Sequence, residues 1–172
     1  MRRALMIFLF VTACTSHAAE PPDSQAVKQG EFAYRVPEGW LRHDQTTRTS
    51  STAEWTPEDN PRKEALTVIR TGLDPRRPRM GLSTIQQLVV DAQRGLPAVH
   101  VGDVSHFTTR SGLDGVRVDT EFTPPGAAHP YHRVHSVIVD GATLVHVLYT
   151  ASSPDPQALA LEMVLDTIHE EG

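Results

Sequence analysis

The stretch YHRVHSVIVDGATLVHVLYT, residues 131–150, carries the reading of the fold. Tyr131 to Val139 and Thr143 to Thr150 are two β-branched runs joined by Asp140-Gly141, a strong two-residue hairpin signal. Their central residues are apolar at successive positions. A strand that is apolar on both sides has both faces covered, so this hairpin belongs inside a sheet.

Working upstream, Val116, Val118, Thr120 and Phe122 alternate with Arg117, Asp119 and Glu121, which predicts a strand with one polar face. Asp114-Gly115 reads as the hairpin turn that joins it to a strand at Val101 to Thr109. Ser83 to Arg94 changes period: Ile85, Leu88, Val89 and Ala92 fall on one helical face. Ser83 with Gln86 suggests a capping box, and Gly95 and Pro97 stop the helix. Further upstream, strands are expected at Ala65 to Leu73, Ser51 to Thr56 and Glu31 to Val36, with loops at Pro57 to Lys63 and the Ser/Thr-rich stretch after Trp40. Downstream, Pro156 to Glu170 places Leu161, Val164, Leu165 and Ile168 on one helical face, capped by Ser153 or Asp155. The order βββ-α-ββββ-α predicts an α+β domain: a mostly antiparallel sheet of six or seven strands with two main helices packed on it.

The amino terminus has a different character. Met1-Arg2-Arg3 precedes an apolar run, Ala4 to Ala13, too short to span a bilayer but suited to an export signal. Val11-Thr12-Ala13-Cys14 resembles the lipobox of bacterial lipoproteins, which implies cleavage before Cys14 and lipidation of its thiol. Ordinary signal cleavage after Ser16-His17-Ala18, or a buried cytosolic helix, are the rival readings. By the same resemblance Thr15, which is not an aspartate, implies the periplasmic side of the outer membrane. The expected organisation is a signal at 1–13, a flexible tether at 14–29 with Pro21-Pro22, and one domain at 30–172.

Composition narrows the function. One cysteine among 172 residues excludes an intramolecular disulfide and any multi-cysteine metal site. Sixteen basic against 21 acidic residues give a net charge of −5, which argues against a nucleic-acid partner. Loss of the first thirteen residues removes two arginines, leaving 159 residues at −7.

Phe32-Ala33-Tyr34-Arg35-Val36-Pro37-Glu38-Gly39-Trp40 resembles the opening strand and P-x-G-W turn of the Mog1/PsbP-like superfamily. Tyr131-His132-Arg133-Val134 through Asp140-Gly141 to Leu148-Tyr149-Thr150-Ala151, with the final helix, is similar to its closing elements. The resemblance spans Gly30 to His169 and implies an α/β/α sandwich. It also implies binding rather than catalysis, since the superfamily includes photosystem accessory subunits, a nuclear import factor, exported lipoproteins and secretion chaperones. It supplies no catalytic residues. Pro37 and Gly39 read as turn formers and Trp40 as an apolar cap on a sheet edge.

Among candidate sites, nine histidines include the run His129, His132 and His135. Imidazole suits zinc or copper, but in a strand His132 and His135 point to opposite faces, so the run reads foremost as edge or surface histidines. His146 reads as a hydrogen-bonded core histidine. Arg76, Arg77 and Arg79 form a basic loop able to meet lipid headgroups or an acidic partner, with a solvated loop as the plainer reading. Asp114 and Asp140 read as turn residues. No G-x-S-x-G, H-E-x-x-H or phosphate-loop motif occurs, and no cofactor is expected. The expected function is a lipid-anchored periplasmic binding or accessory protein, acting without catalysis through a protein partner. The alternatives are an immunity protein against a secreted antibacterial toxin and a histidine-dependent metal-binding envelope protein.

Overall fold

The computed structural model describes residues 23–59, 64–74, 80–152 and 159–171. Cys14, the arginines 76, 77 and 79, and the cap candidates Ser153 and Asp155 lie outside them. Ten strands and two helices are formed by the described residues: β1 Ser24–Gln29, β2 Phe32–Pro37, β3 Trp40–Thr46, β4 Ser50–Pro57, β5 Glu64–Gly72, α1 Leu82–Arg94, β6 His100–Thr108, β7 Asp114–Phe122, β8 Tyr131–Asp140, β9 Thr143–Ala151, α2 Leu159–Thr167 and β10 His169–Glu170.

The hairpin that opened the sequence reading lies in the middle of a seven-stranded antiparallel sheet of order β3-β4-β5-β9-β8-β7-β6. Its turn is Gly141-Ala142, one residue later than the sequence suggests, because Asp140 still pairs with Thr143. Gly141 takes φ +52° there, a region open to glycine without strain. A second, three-stranded sheet of order β1-β2-β10 lies with α2 on one face of the large sheet, and α1 packs on the other. The result is the expected α+β sandwich.

Two cores follow from this layering. Phe32, Tyr34 and Val36 of β2 meet Trp55, Leu66, Val68, Val145, Val147 and Tyr149 of the large sheet, together with Leu161, Val164 and Ile168 beside them. Ile85, Val89 and Val90 of α1 meet Val116, Val118, Val137 and Leu144. The α2 face agrees with its periodicity. In α1 the buried face is turned by about one residue: Gln93 is buried, whereas Leu88 and Ala92 are exposed. Gln93 is drawn inward by a hydrogen bond to His135 Nδ1 at 2.9 Å.

Several elements depart from the sequence reading for local reasons. Ser24–Gln29, expected within the tether, is strand β1, so the folded unit begins before residue 30. Its polarity hid it, since the buried Gln29 amide donates to Ser51 O and Val68 O and accepts from Tyr34 Oη. The polar stretch after Trp40 is β3, an exposed edge strand with no apolar alternation to announce it. The capping box is not formed. Gly81 is the N-cap without a side-chain bond, Ser83 lies inside the helix, and Gln86 Oε1 bonds His106 Nε2 at 2.9 Å. The carboxy-terminal helix stops at Thr167, after which His169 and Glu170 pair with β2.

Two irregularities shape the β6–β7 edge. Gly102 and Asp103 together face the single residue Asp119, a bulge that keeps both Val101 and Val104 paired on the same face. Asp114-Gly115 is not the turn, because Thr108 pairs with Asp114 and Phe107 with Gly115. Gly115 is required instead by packing: a Cβ there would stand 2.5 Å from Phe107 Cζ and 2.9 Å from Val137 O. Gly115→Ala is therefore expected to destabilise the fold by about 1–3 kcal/mol in urea unfolding. An unchanged midpoint and slope would remove this account of the glycine.

Candidate functional site

The polar residues of β7 organise the candidate site. Val116, Val118, Thr120 and Phe122 are buried, so Arg117, Asp119 and Glu121 face the other way, onto the side that carries α2. At the β6–β8 end these side chains line an open groove of about 530 Å³. His100 from β6 and His132 from β8 flank Glu121 directly, since the register pairs His100 with Glu121 and Glu121 with His132. The bulge places Asp103 on the same rim.

Electrostatics hold the groove's wall in place. Arg117 Nη1 donates to Glu162 Oε1 of α2 at 2.8 Å, and its Nε lies 3.6 Å from Asp119. His132 Nε2 lies 3.7 Å from Glu121 Oε2. An adjoining cavity is lined by His129, Pro130, His132 and Ser152. The groove thus presents three carboxylates, two imidazoles and two engaged guanidiniums, Arg117 and Arg133, the latter donating from Nε to Thr150 Oγ1 at 3.0 Å. Such a surface can bind a charged partner or ligand.

The structure divides the histidine run. His129 is exposed beside the groove and His132 half-buried in it, whereas His135 is buried on the opposite face. His135 is therefore neither an edge nor a surface histidine. Its Nε2 lies 3.0 Å from His146 Nδ1. With the Gln93 amide nitrogen facing the ring, His135 Nδ1 accepts, His135 Nε2–H donates to His146, and His146 keeps its proton on Nε2. The expected core histidine at 146 is present, with a partner that sequence spacing alone could not name. His100 and Glu121 were missed because only the strand register brings them beside His132. Among the described residues, no group of three metal-ligating side chains stands arranged around one point.

Burial, aided by His146 and Arg133, pushes the His135 imidazole down to about 3, and burial also lowers His146. Both rings are held neutral in the folded protein, while in the unfolded chain they titrate near 6.5. Below pH 6.5 the unfolded state binds more protons, so stability falls as pH drops from 6.5 toward 3. The slope contributed by His135 approaches about 1.4 kcal/mol per pH unit well below 6.5, and His146 acts in the same direction. Urea midpoints between pH 7.5 and 5 should show this fall, with a smaller slope in His135→Gln. An identical slope in the variant would show that the pair does not produce it.

No family model matches the sequence, and no curated protein matches it. Solved structures do resemble it. Cyanobacterial PsbP (CyanoP) from Synechocystis superposes with a TM-score of 0.62 at 13% identity, over 89% of this chain and 95% of that one. LpqN, involved in cell envelope biogenesis of Mycobacterium tuberculosis, gives 0.55 at 16% identity, over 85% and 90%. A Bacteroides thetaiotaomicron protein gives 0.58 at 12% identity, over 89% of this chain but half of that one. Identities this low speak for the fold alone. Two helices on a seven-stranded antiparallel sheet, aligned along nearly the whole of CyanoP, give this chain the PsbP-like α+β fold.

Proposed function

We propose that this chain is a lipid-anchored accessory protein of the bacterial envelope that works by binding a protein partner and carries out no catalysis. The observation that carries the reading is the charged groove at the β6–β8 end. It is open to solvent, bordered by the outer edge of β6, which no strand among the described residues pairs, and held in shape by the Arg117–Glu162 pair. Its mixed charge suits recognition of a polar protein surface by complementary pairs, which set orientation and association rate. The PsbP-like fold and the envelope role stated for LpqN agree with this assignment.

Anchoring rests on the lipobox-like Val11-Thr12-Ala13-Cys14. Among the described residues no helix is long and apolar enough to cross a membrane. Acylation of Cys14 would supply the membrane attachment, since several acyl chains on one residue hold far more firmly than one.

Three measurements test the proposal. Mass spectrometry of the membrane-extracted protein should find an acylated Cys14 at its amino terminus, and Cys14→Ser should release the chain from the membrane fraction. Photo-crosslinkers at Asp103 and Asp119 in living cells should trap one discrete protein, and a crosslinker at Asp91 on the exposed side of α1 should not. Arg117→Glu should abolish the trapped species. Equal crosslinking at all three positions, or none, would exclude the groove as the binding surface.

A further inference from the structure

We propose that His100, Glu121 and His132 form a binding site for a divalent transition-metal ion of the zinc class. The inference goes beyond the partner-binding reading and needs no partner. Its basis is a row of residues across three adjacent strands: His100 of β6 pairs with Glu121 of β7, which pairs with His132 of β8. Directly paired residues put their side chains on the same face of the sheet, with Cβ atoms about 5 Å apart. The two imidazoles therefore stand on either side of one carboxylate, and all three line the same groove.

The ligand chemistry suits the ion. Two imidazoles and a carboxylate are a zinc donor set that leaves a further coordination position open. The surroundings favour a cation, because Asp103 and Asp119 add two carboxylates to the groove. Both guanidiniums that line the groove are engaged, Arg117 by Glu162 and Asp119, and Arg133 by Thr150 and the Phe122 ring. His132 already faces Glu121 at 3.7 Å. As the side chains stand they do not converge on one point. Closing the set requires rotation about the side-chain bonds of the exposed His100 and Glu121 and the half-buried His132.

This site differs from the one that sequence spacing suggests. Of the run His129, His132 and His135, only His132 belongs to it, because His135 is sealed on the opposite face against Gln93. His129 lies in the adjoining cavity and is not required.

The test is titration of the tag-free chain, lacking its first thirteen residues and carrying Cys14→Ser, with Zn²⁺ at pH 7.5, followed by calorimetry. Cobalt(II) absorption gives a second readout. One ion per chain is expected, with Mg²⁺ unable to compete. His100→Ala, His132→Ala and Glu121→Gln should each weaken binding at least about tenfold, with the far-ultraviolet circular dichroism unchanged. His129→Ala and His135→Gln should leave the affinity within about twofold, and His135→Gln also guards against an indirect effect of lost stability. Absence of binding by the folded chain at 100 micromolar zinc overturns the proposal. So does binding that survives loss of either His100 or His132, or that depends on His129 instead of His100.

Discussion

The whole architecture depends on the pairing of β5 with β9. Nine residue pairs run from Glu64 with Ala151 to Gly72 with Thr143. This seam joins the β3-β4-β5 meander to the later β6-to-β9 meander, so that two separately drawn sheets become one. With the seam closed, Leu66 and Val68 lie beside Tyr149 and Val147, and the surface they share is what β2 and α2 cover. The sequence separation of the seam is large, so its contacts are reached only after considerable loop-closure entropy has been lost.

The same register produces the candidate site. Antiparallel pairing fixes which side chains stand abreast, and at the far end from β3 the covering layer runs out. Arg117, Asp119 and Glu121 lie on the face that buries apolar residues elsewhere, yet here they meet solvent and the single anchoring carboxylate of Glu162. One row along, on the opposite face, His135 and His146 are enclosed and held neutral. Histidines three positions apart in one strand thus acquire opposite characters because the pleat separates them.

Much of this was legible in the sequence where apolar periodicity was strong. The central hairpin, the polar face of β7 and the buried face of α2 follow from alternation of period two or 3.6. What stayed hidden was polar. β1 is pinned by a satisfied Gln29 side chain and β3 is a hydrophilic edge, and neither leaves an apolar signature. Gly115 is a glycine because Phe107 lies over it, a long-range requirement that imitates a turn signal. The groove was half visible: His132 stood out in its run, whereas His100 and Glu121 join it only through cross-strand pairing. The α1 face was misread by one position because an uncharged polar side chain, Gln93, is paid for by a buried histidine.

The bulge at Gly102 and Asp103 has a further consequence. β6 is a nine-residue edge strand whose outer backbone groups pair with no other strand among the described residues. A regular strand of that length would offer a template on which another chain could extend the sheet. The extra residue breaks the spacing of amides and carbonyls and sharpens the local twist, and Asp103 adds a charge to this edge strand. The edge therefore leaves its side chains open to recognition while its backbone is a poor template for ladder-wise extension of the sheet by another chain.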